Sequence, residues 1–249
     1  MKNLKWFFNS PAGAIILGSI LISVSILISG GVIRLKSTSV VQPSANPSAA
    51  QAPGAPSPAP KADVTLGHLP YKGDTGAKVA VVEFADLRCP FCKKFYDDSE
   101  SQLLSDYVNS GKVKFTFRHF EFLGPASVTA GNAVECANEQ GKFWEMYDYL
   151  YKNQPEESDT SMYTTDKLTS VAGNLGLNTN QFQSCLSSTK YAKNLTDDQT
   201  EGQQAGVSGT PSFVIGKIDS TGTKIVGGQL VVGAVPYASL KTSIDQLLK

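Results

Sequence analysis

The sequence predicts an α/β fold: a sheet whose two halves are separated by an inserted helical lobe. Three observations carry that prediction. Lys78–Ala85 (KVAVVEFA) is nearly continuous in apolar residues, as a central strand covered on both faces should be. A CPFC turn, a helical stretch over Phe91–Asn109 stopped by Gly111, and a second apolar strand at Val113–Phe117 (VKFTF) complete a strand–helix–strand unit. Helical periodicity then holds through the middle of the chain, and strand signals return only near the end.

The middle elements follow from spacing. Phe143, Met146, Tyr147, Leu150 and Tyr151 recur at i, i+3, i+4, i+7 and i+8, a stripe that reads as core packing. Further helices are expected around Ser127–Glu139, Thr165–Leu175, Thr179–Leu186 and Tyr191–Ala205. Strands follow at Ser212–Ile215 and Lys224–Val226. A closing helix begins at Pro236, with Tyr237, Leu240, Ile244, Leu247 and Leu248 on its apolar face. The sheet halves thus bracket a lobe of about residues 125–205 within one domain, 63–249.

The rest of the chain is of a different kind. Of 249 residues, 22 are Lys or Arg and 22 are Asp or Glu, but residues 1–62 carry five basic side chains and no acidic one. The remainder holds 17 basic against 22 acidic side chains, a net charge of −5 that repels phosphate backbones and argues against nucleic-acid binding. Ala12–Ile33 is free of ionisable side chains and is flanked by Lys2 and Lys5 on one side and Arg34 and Lys36 on the other. As a helix it would reach roughly 33 Å, enough for the hydrocarbon core of a bilayer. It is too long for the apolar region of a cleaved signal, and RLKSTS after it is a poor cleavage site, so residues 1–36 read as a signal anchor with the membrane span at about 12–33. Residues 37–62 read as a linker. Its Ser37–Pro60 stretch holds six of the 13 prolines and no charge, which makes it a semi-rigid spacer.

The chemistry lies in Cys89-Pro90-Phe91-Cys92, where a strand turns into a helix. Two cysteines three apart on a first helical turn can close a small disulfide, and the leading sulfur then sits at the positive end of the helix dipole, which favours the thiolate. Pro90 suits a first helical position, where its missing N–H would be unpaired anyway. Half of a zinc site is the other reading of C-x-x-C. It needs two more ligands at short spacing, whereas Cys136 and Cys185 are solitary and the only histidines are His68 and His119. No metal and no cofactor is therefore expected. In an exported chain the even cysteine count makes Cys136 and Cys185 a candidate structural disulfide. Glu83 shares a strand face with Val79 and Val81, so its carboxyl should be buried, desolvated and able to exchange a proton with Cys92.

Three blocks in order, VVEFADLRCPFCKKF, ECANEQGKFWEMYDYLY and GVSGTPSFVIG, resemble the DsbA-like thiol-disulfide oxidoreductases of the thioredoxin superfamily, over about Leu66–Lys249. The resemblance implies a thioredoxin-like fold with an inserted helical domain, Cys89 as the nucleophile and Cys92 as the resolving cysteine. It also implies that Thr210-Pro211 forms a cis-proline loop lying against the active disulfide and offering backbone groups to substrate. The family often has a buried acid at the position of Glu83. One departure is Phe91, which carries no proton donor where the family's best-known strong oxidant has a histidine.

The expected function is an anchored, extracytoplasmic oxidase that passes the Cys89–Cys92 disulfide to thiols of exported proteins and is reset by a membrane redox partner. A reductase or isomerase kept reduced by a membrane donor is the alternative within the same chemistry. A copper-delivery or other soft-metal module is the alternative outside it, and the lack of a methionine cluster or a nearby histidine counts against that reading.

Overall fold

The computed structural model of the chain describes residues 61–188 and 190–249. The membrane span, and the linker up to Pro60, lie outside the described residues. Among the described residues no helix is long and apolar enough to cross a membrane.

Five strands form one sheet in the order β1-β5-β4-β2-β3: β1 Lys61–Thr65, β2 Val79–Ala85, β3 Val113–His119, β4 Ser212–Lys217 and β5 Lys224–Val232. Only β2 and β3 run parallel. The β1–β5, β5–β4 and β4–β2 pairs are antiparallel. The parallel pair is joined by a helical segment, α1, which runs through Pro90–Phe95, Tyr96–Glu100, Ser101–Leu103 and Leu104–Val108. The second and fourth of these stretches are π-helical. Between β3 and β4 lie α2 Pro125–Asn138, α3 Phe143–Lys152, a 3₁₀ turn at Ser161–Tyr163, α4 Thr165–Asn174, α5 Thr179–Leu186 and α6 Ala192–Gln204; α7 Tyr237–Leu247 closes the chain. This is a thioredoxin-like α/β fold with an inserted helical region.

Strand β2 organises the core. All seven of its residues are buried, and it is paired along its length to β3 on one side and β4 on the other. Val79 and Val81 pack with Phe95 and Leu103 of α1 and with Leu240 and Ile244 of α7. Ala80, Val82 and Phe84 pack on the opposite face with Ala62 and Val64 of β1, Leu230 of β5 and Val207 after α6. Gly202 lets α6 approach this face, because a Cβ there would lie 2.9 Å from the Phe84 ring. The third cluster belongs to the lobe, built on Phe143, Met146, Tyr147, Leu150 and Tyr151, and it also takes in Cys89 and Cys92. The CPFC turn therefore sits where sheet and lobe meet.

Two stretches differ from expectation. Strand β1 begins at Lys61, two residues inside the segment read as linker, because Ala62 and Val64 alternate inward and pair with β5. At five residues directly after a proline-rich tract, it is too short to register as a period. Strand β5 runs on past Val226 through Gly227 and Gly228, a dipeptide that reads as a turn. Gly228 is instead a close approach: a Cβ there would lie 2.6 Å from Ile225 and 2.8 Å from Val214.

Within the lobe, Cys136 of α2 is bonded to Cys185 of α5 across a sequence separation of 49. Closing a loop of that length restricts the unfolded chain by about 4 kcal/mol in the chain-entropy model. Replacing both cysteines with serine should lower the thermal midpoint by roughly 8–16 °C for a domain of this size. A calorimetric scan of the oxidised protein checks this, and an unchanged midpoint would show that the bond constrains little.

Candidate active site

The turn that presents Cys89 is held from three directions. Asp86, fully buried after β2, accepts backbone N–H bonds from Arg88 (2.8 Å), Phe122 (3.1 Å) and Leu123 (3.2 Å). The Cys89 N–H donates to the Asp86 carbonyl at 2.9 Å. The Arg88 guanidinium donates to the carbonyls of Leu123 (2.8 Å) and Glu157 (2.6 Å). From the lobe, Gln154 Nε2 donates to the carbonyls of Leu87 (2.9 Å) and Cys89 (3.4 Å). A buried acid, a buried base and a lobe amide thus fix the backbone on which the sulfur is carried.

Cys89 is the extended N-cap of α1, with Pro90 at the first helical position. Its thiol donates to the Thr210 carbonyl at 3.6 Å, and the Thr210-Pro211 peptide is cis. Strand β4 starts at the next residue, so the proline loop and the CPFC turn come together at adjoining ends of β4 and β2. The Thr210 hydroxyl is buried without a hydrogen-bond partner among the described residues. Pro90 and Phe91 are exposed, Phe91 by 63%, whereas Cys89 shows 2% and Cys92 nothing.

The two thiols are driven apart electrostatically. A hydrogen bond from Cys92 is the main influence that lowers Cys89, against the opposing effect of burial. Thr210 and the N–H groups of Cys92 and Phe91 assist, bringing it from 9.0 to about 6. Cys92 is pushed well up, first by burial and then by the Cys89 sulfur and the Glu83 carboxyl. At neutral pH the pair is one thiolate and one thiol.

Glu83 lies fully buried on β2, opposite Phe117 and Phe213. Burial, then the neighbouring Glu100, hold its carboxyl well above the ordinary carboxylate range. The Tyr147 hydroxyl lies 3.3 Å from Glu83 Oε2 and 2.8 Å from Glu100 Oε2, and Lys72 Nζ donates to Glu100 Oε1 at 3.1 Å. Glu83 Oε1 has no partner. Sequence reading places Glu83 but misses Lys72, Glu100, Tyr147, Gln154, Asp86 and Arg88. Tyr147 is part of the core stripe as expected, and nothing in helical spacing says that its hydroxyl meets two carboxyls. Neither histidine joins the site; His68 (2.6 Å) and His119 (3.4 Å) both engage Glu135 of α2.

A family model described as Thioredoxin matches residues 66–246. The "Probable disulfide bond formation protein D" of Bacillus cereus is 31% identical over 182 residues, covering 71% of this chain and 77% of that protein. Na(+)/H(+) antiporter NhaA 3 of Salinispora tropica is 33% identical over 146 residues, but the match spans only 21% of that protein and 58% of this chain. The oxidised BdbD structure from Bacillus subtilis shares the fold, with a TM-score of 0.67 at 24% identity, over 77% of this chain and 99% of that one. So does α-DsbA1 of Wolbachia pipientis, with a TM-score of 0.61 at 21% identity, over 74% and 94%. Fold, dithiol turn and relatives agree, and the chain belongs to the DsbA-like, thioredoxin-fold family of thiol-disulfide oxidoreductases that includes the disulfide bond formation proteins D.

Proposed function

We propose that this chain is a membrane-anchored, extracytoplasmic oxidase that passes a Cys89–Cys92 disulfide to cysteine thiols of exported proteins, and that a membrane redox partner restores the disulfide. The observation that carries the direction is the stabilised Cys89 thiolate. A disulfide whose reduced form is stabilised is a stronger oxidant. A shift from 9.0 to about 6 favours the ionised sulfur by roughly 4 kcal/mol. The sign comes from linkage: the gain to the reduced protein is complete above 9.0 and is lost as pH falls through about 6. The apolar run at 12–33 and the proline-rich spacer after it support an anchored placement outside the cytoplasm.

In the forward reaction a client thiolate attacks Cys89 Sγ, the Cys89–Cys92 bond breaks, and the electron pair leaves on Cys92. Cys92 then takes the proton of Glu83, the buried acid facing it. A second client thiolate attacks the client sulfur of the mixed disulfide and expels Cys89 as a stable thiolate. The Thr210-Pro211 loop presents backbone to the client strand, and the buried Thr210 hydroxyl faces the departing Cys89.

Three measurements test the reading. Alkylation of the reduced full chain by iodoacetamide should rise with a midpoint of about pH 6, with Cys92 unmodified in the folded state. Cys92→Ser, which cannot close the active disulfide, should accumulate mixed disulfides between Cys89 and clients on non-reducing gels, since the Cys89 thiolate still exchanges with client disulfides and no Cys92 thiol is there to release it. Equilibration with a glutathione series should give a potential between about −270 and −120 mV, the interval between thioredoxin and a strong oxidant, with Phe91 keeping it short of the upper end. A value near −270 mV or lower would turn the assignment to the reductase.

A further inference from the structure

Resting on the dithiol chemistry just described, Cys92 and Glu83 pose a problem of access. Each is fully buried, yet every cycle requires a proton to arrive at one and leave the other. The titratable groups that face Glu83 are Cys89, Cys92 and Glu100 from α1, Tyr147 and Tyr151 from α3, and Lys72 from the segment before β2. Among the described residues, one hydrogen-bonded line of side chains leads from Glu83 to a surface cavity. From Glu83 Oε2 it passes through the Tyr147 hydroxyl (3.3 Å and 2.8 Å) to Glu100 Oε2, and Glu100 Oε1 lies 3.1 Å from Lys72 Nζ. Glu100 and Lys72 line a surface cavity with Tyr96, Asp97, Asp148 and Lys152. The Glu100 side chain is 3% exposed and that of Lys72 is 21%, so the line crosses from dry interior to rim in one residue.

We propose that Tyr147 and Glu100 form a proton relay that recharges Glu83 from the surface cavity beside Lys72. The step balances. When a reductant opens the disulfide, Cys92 Sγ gains the proton of Glu83, leaving a carboxylate. Tyr147 gives its hydroxyl proton to Glu83 Oε2 and takes one from the carboxylic acid form of Glu100, and Glu100 is reprotonated by water at the cavity. One proton enters from solvent, one ends on Cys92, and Tyr147, Glu83 and Glu100 return to their starting states. Lys72 does not exchange the proton; its fixed charge holds Glu100 Oε1 at the rim. In reoxidation the same path runs in reverse. Tyr147 and Glu100 touch neither sulfur and act only through Glu83.

The test separates sulfur from proton. Oxidised full chain, purified in mild detergent, is mixed with dithiothreitol in weakly buffered solution at pH 7; disulfide opening is followed by rapid acid quench and the net proton balance by an indicator dye, dithiothreitol giving up two protons for the one that the site takes up. Dithiothreitol reduces the site whether the protein works as oxidase or reductase, so a wrong direction of function leaves this test intact. In the natural protein, uptake keeps pace with sulfur exchange and the dye shows only the net release of one proton; delayed uptake shows as a release of two followed by the return of one. In Tyr147→Phe, which keeps the ring and its packing, and in Glu100→Gln, sulfur exchange should stay within about twofold while uptake lags by about tenfold or more, the scale of a lost proton-transfer group. Glu83→Gln should slow sulfur exchange itself, because the departing Cys92 then lacks its proton donor. A merely structural role for Tyr147 or Glu100 would slow both traces together. Unchanged uptake in both variants, each melting as the natural protein does, would overturn the relay and send the proton through the client face.

Discussion

Because β2 is hydrogen-bonded on both edges and packed on both faces, it cannot shift by a residue without dismantling the sheet. Its alternation puts Val79, Val81 and Glu83 on the α1 face and Ala80, Val82 and Phe84 on the other, and one residue later the chain enters the reactive turn. The position of Cys89 is therefore inherited from a strand, not from a loop. The parallel neighbour β3 supplies the backbone that leads to Phe122 and Leu123, and the antiparallel neighbour β4 supplies the proline loop. Every partner of the sulfur is attached to β2 or to a strand bonded to it.

That rigidity allows large electrostatic contrasts over a short distance. Helix start, proline-loop residue and a neighbouring thiol stabilise charge on Cys89, while burial among lobe and sheet residues opposes it on Cys92. Glu83 is fully enclosed, and burial raises its carboxyl well above the ordinary range. The lobe contributes to the chemistry as well as to the core: Tyr147 meets the buried acids, and Gln154 holds the carbonyl of the reactive cysteine.

Legibility in the sequence tracked the range of the interaction. Strand β2, the CPFC turn, the helix after it and the closing helix were readable because each is written in local periodicity or in a short motif. Glu83 was readable because burial on a strand can be inferred from the residues two and four before it. Lys72, Glu100 and Tyr147 come from three separate elements, and no spacing rule links them. The π-helical stretches at Tyr96–Glu100 and Leu104–Val108 were also invisible, since the sequence there is ordinary for a helix. They matter because each widens the turn by a residue and rotates the side chains beyond it about the helix axis. Glu100 is the last residue of the first and meets the Tyr147 hydroxyl. Strands β1 and β5 were under-read for opposite reasons, one too short to show a period and the other interrupted by glycines that serve packing.

Phe91 stands 63% in water beside a sulfur that shows 2% of its surface. The two exposures belong to adjacent parts of one turn, and together they make the approach to Cys89 a matter of solvation. A reactant that reaches the sulfur displaces water from an aromatic ring on the way, which is favourable only if it brings apolar surface of its own. A small hydrophilic thiol gains little there; a polypeptide that has not yet buried its hydrophobic side chains gains a good deal. The ring thereby favours an apolar over a hydrophilic approach to the sulfur.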